Sequence, residues 1–233
     1  MAIIYGRADS EKQLLNKYPK RVQKIEDISR VHQEMKEEVE KHETKGLVNK
    51  MKIWNKKRQV NKFEKNKDDL FHPGAKGELR TLEELSRLSD DYHVLCGVNI
   101  GLPNYITYNG QKNLRSAQMD FVVVSKRGVI LIEVKNWSTQ YYDQNEKLSP
   151  HEQVDRAGRV LWIALKSWRS PKNPRVTSVV LSVQGNIKYD PQYKFVLVSD
   201  LNKINYFIEN RREEFSDKEV KRIVDRLKHY VTK

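Results

Sequence analysis

Cysteine is nearly absent: the single Cys96 among 233 residues precludes an internal disulfide and fits a reducing cytoplasm. It sits in a strand pattern and reads as a small core hydrophobe. No cysteine–histidine spacing suggests zinc. Long apolar runs are missing too. None approaches the roughly 18–20 residues of a membrane span, and Met1-Ala2-Ile3-Ile4-Tyr5 falls short of the about 7–15 apolar residues of a signal h-region. With 38% hydrophobic residues and a mean hydropathy of −0.78, the expectation is a soluble cytoplasmic protein. There is no internal repeat, no low-complexity tract and no P-loop, so an ATP-driven partner would be another chain. Acidic residues are the scarcer charge, 31 against 44 Lys and Arg, for a net charge of +13. Such a balance favours a polyanionic partner: nucleic acid first, an anionic membrane surface second.

What the chain does have is one concentrated stretch, Asp120 to Asn136, reading DFVVVSKRGVILIEVKN. Two β-branched runs, Phe121–Val124 and Val129–Ile132, flank the polar break Ser125–Gly128, as in two strands joined by a tight turn. Both faces of each run are apolar, which places the pair in the middle of a covered sheet. Charge nevertheless opens and closes the stretch. Glu133 and Lys135 are two apart and share a strand face, about 6–7 Å from each other. A two-residue loop, Arg127-Gly128, would set Asp120 opposite Lys135. A four-residue loop, Ser125–Gly128, would set it opposite Glu133. Either gathers all three groups on one face. Two carboxylates and an ammonium at a sheet edge suit a hard cation, Mg²⁺ or Mn²⁺, rather than zinc. The structural alternative is an ion pair at a strand end.

The chain before this stretch is helical in pattern. Residues 1–10 read as a lead-in. Glu11 to Glu43 reads as helix interrupted at Pro19, with Val22, Ile25, Ile28, Val31 or His32, Met35 and Val39 on one stripe. A second helix over Leu47–Lys65 is strongly basic, and Lys50, Lys52, Lys56, Lys57, Arg58 and Lys62 are its candidate nucleic-acid contacts. Pro73-Gly74 marks a loop and the domain boundary, giving a basic helical extension over 1–70 and a second domain over 71–233. Ala75–Leu88 is a helix with Leu79, Leu82, Leu85 and Leu88 inward. Tyr92–Ile100 is a strand with Val94, Cys96 and Val98 on one face, and Gly101–Ser116 a polar loop leading into the central stretch, a candidate wall for a substrate groove. After the central stretch, Ser149-Pro150-His151-Glu152 is a helix start with a serine cap and proline in the first position. Gln153 follows in the first turn. Val176–Val183 and Tyr193–Val198 are strands, Asn205–Asn210 a short helix, and Ser216-Asp217-Lys218-Glu219 the capping box of a final helix.

Asp120 followed by Glu133-x-Lys135 on the adjoining strand resembles the PD-(D/E)xK nuclease core. With Gly77-Glu78 upstream and Ser149-Pro150-x-x-Gln153 downstream, the region from about Pro73 to Ser199 resembles the nuclease-related domain (NERD) family. The resemblance implies an α/β fold: a restriction-endonuclease-like core of central mixed sheet flanked by helices, here with an N-terminal helical extension. It implies that Asp120, Glu133 and the backbone carbonyl of Val134 hold Mg²⁺ or Mn²⁺, that Lys135 activates or orients water, and that Glu78 and Gln153 complete the site. The implied activity is metal-dependent hydrolysis of phosphodiester bonds, in DNA. Phe121 stands where the family often has histidine.

Two other readings fit the same residues. One is a non-catalytic nucleic-acid-binding module working through the basic N-terminal helix. The other is an assembly protein in which the Val22–Val39 stripe joins copies into a homo-oligomer.

Overall fold

The computed structural model describes residues 1–25, 27–43, 54–55, 57–61, 71–136, 148–167 and 174–232. The chain forms two compact units: Met1–Asp9 together with Gly77–Lys233, and Ser10–Lys76.

The larger unit is built on a six-stranded mixed sheet in the order β1 (Ile3–Tyr5), β2 (His93–Tyr108), β3 (Gln111–Ser125), β4 (Gly128–Asn136), β5 (Val176–Gln184) and β6 (Val196–Asp200). β2 and β4 each pair antiparallel with β3. β1 is parallel to β2, and β4, β5 and β6 are parallel to one another. This is the mixed α/β sheet that the resemblance implies. As expected, β3 and β4 are central and covered on both faces. Val122, Val124, Val129 and Leu131 pack in one layer with Val154, Val160, Leu161, Ile223 and Leu227. Phe121, Val123, Ile130 and Ile132 pack in the other with Leu85, Leu88, Ile204 and Ile208. The helices supplying those residues are α3 (Phe71–Ser86) with the turn after it, α4 (Pro150–Ser167), α5 (Ile204–Glu209) and α6 (Asp217–Leu227). Each such side chain contributes about 1.5–3 kcal/mol by leaving water. A one-residue slip would exchange the two apolar sets and drive Asp120 into the core, so the hairpin register is fixed.

Several expectations need correction. Residues 1–10 are no mere lead-in: Ile3–Tyr5 forms an edge strand, held by the Ile3 N–H to the Tyr92 carbonyl at 2.9 Å. α3 begins at Phe71, not Ala75, so Pro73-Gly74 lies in its first turn rather than in a loop. First-turn N–H groups have no partner inside the helix, and proline costs little there. The polar loop over Gly101–Ser116 does not exist. β2 and β3 continue through it as a long hairpin arm, closed by Asn109-Gly110 with both residues at positive φ, the mark of a type I′ turn. Val98 also leaves the face of Val94 and Cys96. Cys96 pairs with Phe121 in one layer, whereas Val98 pairs with Met119 in the other. Gly97, at φ +58°, makes this reversal, and Asp120 lies in the same interval on the partner strand.

The smaller unit holds α1 (Asp9–Leu15) and α2 (Asp27–Glu43). The described residues between them, 16–25, are not helical, a longer interruption than Pro19 alone predicts. The Asp27 carboxylate reaches back to accept the N–H groups of Gln23 and Lys24 at 3.2 and 3.1 Å, which holds the turn leading into α2. Val22, Ile25, Ile28, Val31, His32, Met35 and Val39 are all buried in the single chain, so they present no free stripe to another copy. Within the basic run, Lys57 and Arg58 are exposed, and the Arg58 guanidinium lies 5.7 Å from the Trp54 ring centre. Lys50, Lys52, Lys56 and Lys62 fall outside the described residues, as does most of the Leu47–Lys65 helix.

A side chain at Gly97 would meet Thr232 Oγ1 at 2.7 Å, on top of the left-handed backbone. Gly97→Ala is expected to cost at least about 1–2 kcal/mol. In a thermal melt this is a fall of several degrees, and an unchanged midpoint would contradict the layer reversal.

Candidate active site

Ladder pairing between β3 and β4 runs from Ser125↔Gly128 to Phe121↔Ile132. The loop is therefore the two residues Lys126-Arg127. The next step in that register sets Asp120 across from Glu133, the placement expected for the longer loop. There the backbone ladder ends and a side chain replaces it: Asp120 Oδ2 accepts the Val134 N–H at 2.7 Å. N–H and C=O of one strand residue point to the same side. The Val134 carbonyl is thus turned toward β3 and Asp120 as well.

Glu133 and Lys135 follow on β4, opposite Val180 and Ser182 of β5. The Lys135 ammonium lies 3.3 Å from Glu133 Oε1 and donates to Gln153 Oε1 at 2.7 Å. Only 11% and 14% of the Lys135 and Glu133 side chains are exposed. At such burial an ammonium needs its donors satisfied, and the neutral amide oxygen provides that without adding charge. Gln153 is itself held, since its amide nitrogen donates to the Leu148 carbonyl at 3.1 Å. The local sequence explains its position. Ser149 Oγ accepts the Glu152 N–H at 3.1 Å, Pro150 occupies the first helical position, and Gln153 therefore falls in the first turn of α4.

Glu78 approaches from α3, where it is 4% exposed. The residue before it explains how. A Cβ on Gly77 would lie 2.6 Å from Asn136 Cβ and 3.4 Å from Val134 Cγ1, so only glycine lets the helix sit this close to the end of β4. Of the expected site residues, Asp120, Glu133, Val134, Lys135 and Gln153 are joined by direct contacts, and Glu78 is carried beside the same strand end.

The donors here are all oxygen: two carboxylates and a peptide carbonyl. Among the described residues no group of three or more His, Cys, Asp and Glu could hold a metal ion. The set suits a cation that keeps several of its own waters, as Mg²⁺ does.

Sequence reasoning missed the surroundings of the site on α4. Tyr108, at the tip of the hairpin arm, donates its hydroxyl to Asp155 Oδ2 at 2.8 Å, and the Arg156 guanidinium lies 4.9 Å from its ring centre. Burial, and then the hydrogen bond to Asp155, raise the Tyr108 phenol well above its ordinary value. The signal was present in Asn109-Gly110, a hairpin turn inside what reads as loop. His151 is buried, stacked on Tyr193 with ring centres 6.2 Å apart, and its Nε2 has no hydrogen-bond partner among the described residues.

A mixed α/β sheet with Asp and Glu-x-Lys where two central strands part defines the restriction-endonuclease-like class of fold. Comparison with known families agrees: residues 73–183 match the family model of the nuclease-related domain. Neither the curated proteins nor the solved structures gave a match. No helix among the described residues is long and apolar enough to cross a membrane.

Burial lowers the pKa values of His151 and His93 below the ordinary 6.5, against weaker opposing pulls from Asp190 and Asp91. A depressed folded-state value means that the unfolded chain binds the proton more readily. The associated stability is present above pH 6.5 and is lost as pH falls through the folded-state values. Denaturant midpoints should drop from about pH 7.5 to about pH 5.5, and less so in His151→Phe, which keeps a ring against Tyr193. Equal slopes for both proteins would contradict the assignment.

Proposed function

We propose that this protein is a metal-dependent nuclease that hydrolyses phosphodiester bonds in DNA. The observation that carries the reading is the Lys135 ammonium, pinned between Glu133 and Gln153 beside an Asp120 carboxylate anchored across the strand gap. As a stabilising device alone this arrangement is poor, because desolvating an ion pair offsets most of its attraction. As a site for a phosphate it is economical.

Asp120, Glu133 and the Val134 carbonyl are the groups to hold Mg²⁺ or Mn²⁺. When bound, such a cation offsets charge developing on the phosphate and acidifies water in its shell. The chain's own groups divide the remaining work. Asp120 is oriented by the Val134 N–H, so its direction does not depend on side-chain freedom. Lys135 orients the attacking water or donates to the phosphate oxygen on which charge builds. Gln153 positions Lys135 and keeps it from collapsing fully onto Glu133. Glu78 supplies a further carboxylate from α3. The positive charge of the whole chain, +13, draws the polyanion in.

Glu133→Gln and Lys135→Gln should each lower cleavage of DNA in Mg²⁺ or Mn²⁺ by at least about 10²-fold, the scale of losing one preorganised electrostatic group. Circular dichroism melts should stay close to the parent protein. Robust cleavage by both variants would reject the nuclease.

A further inference from the structure

The hairpin arm of β2 and β3 runs on past the point where β4 ends, and so past Asp120. Between its base and α4 lies an open groove of about 850 Å³, within the roughly 300–1,000 Å³ typical of ligand clefts. The groove has an arginine on each wall. On the arm, Arg115 Nε donates to the Leu102 carbonyl at 3.1 Å across the hairpin, and its guanidinium lies 5.6 Å from the Tyr105 ring centre. On α4, Arg156 faces the groove. It is three residues after Gln153, one helical turn and about 4.5 Å along the axis from the glutamine that holds Lys135.

Two features make this more than a charged surface. Tyr105 is 52% exposed, an aromatic ring left open to solvent in a groove flanked by arginines. The walls are also fixed to each other. The Tyr108 hydroxyl bonds Asp155, and Arg156 lies over the Tyr108 ring, so the groove exists before any ligand arrives.

We infer that this groove holds an unpaired strand of nucleic acid leading to Asp120 and Glu133, with one base stacked on Tyr105 and phosphates against Arg115 and Arg156. The inference rests on the nuclease reading and names the form of its substrate. Exposed aromatics between cations are the means by which proteins hold single strands, because every unpaired base offers a π-face and a duplex hides its own. The site then acts on single strands, or on the frayed or displaced part of a duplex.

The test is fluorescence anisotropy with the full chain in EDTA, so that binding is read without cleavage. The probes are a labelled single-stranded DNA oligonucleotide and the duplex of the same sequence. The single strand should bind more tightly than the duplex. Tyr105→Leu should weaken single-strand binding about 5- to 150-fold, the loss expected for one stacking ring, and Tyr105→Phe should retain it. Arg115→Gln and Arg156→Gln should each reduce the slope of log affinity against log salt by about 0.7. Melting curves confirm folding, and Tyr105, exposed on the arm, carries little folding risk. Equal affinity for both probes, or an unchanged Tyr105→Leu, overturns the groove. A parallel cleavage assay in Mg²⁺ or Mn²⁺ separates the two readings. Ring-dependent binding without cleavage sinks the nuclease and keeps the groove, whereas cleavage indifferent to Tyr105→Leu does the reverse.

Discussion

At the end of the β3–β4 ladder a carboxylate takes over the work of the backbone. Asp120 accepts the Val134 N–H that the next β3 carbonyl would otherwise take, and two results follow from that one hydrogen bond. The strands part without stranding a donor, which a covered sheet must not do. The Asp120 side chain is also aimed at the gap that opens. Upstream of the gap both strands are apolar on both faces. Downstream come Glu133 and Lys135 on β4 and the hairpin arm on β3. The chemistry therefore begins where pairing stops, and a rigid core holds it from behind.

Each remaining group is delivered by a different local rule. Glycine at 77 lets α3 press on Val134 and Asn136. A serine–proline start sets the phase of α4, so that Gln153 meets Lys135. Such assembly from separate elements gives precision, because no side chain of the set lies on a free loop. Gly158 extends the same logic. A Cβ there would meet Ser178 Oγ at 2.3 Å, so α4 lies tight on β5 one turn beyond the residues that serve the site and its groove.

The sequence announced the site more clearly than its surroundings. The two apolar runs, the Glu-x-Lys spacing and the two caps are all local patterns, and each survives folding unchanged. The choice between loop lengths was not local. Both even loops put the acids on one face, and only the Ser125↔Gly128 pair, with Gly128 at φ +120°, selects the register. The arm was hidden for another reason. Pro103 and a run of polar residues break strand alternation, and the register itself shifts between Gly101 and Ile106. Reversal of the layers at Gly97 left no trace in periodicity, because glycine carries no hydropathy signal of its own. β1, at three residues, is too short to register as a pattern at all.

The order of the two compact units along the chain has a practical meaning. Because Met1–Asp9 belongs with Gly77–Lys233, the helical unit Ser10–Lys76 interrupts the sheet unit rather than preceding it. It is an insertion, not an appendage. Trimming the chain from its start would strip β1 from the sheet and bare the flank of β2. Its two ends are also neighbours, since a Cβ at Gly74 would lie 3.8 Å from Ser10 Oγ. Closely spaced ends are what allow a segment to be gained or lost within a folded host. Replacing the helices by a short bridge from β1 to α3 would leave the rest of the sheet as it is.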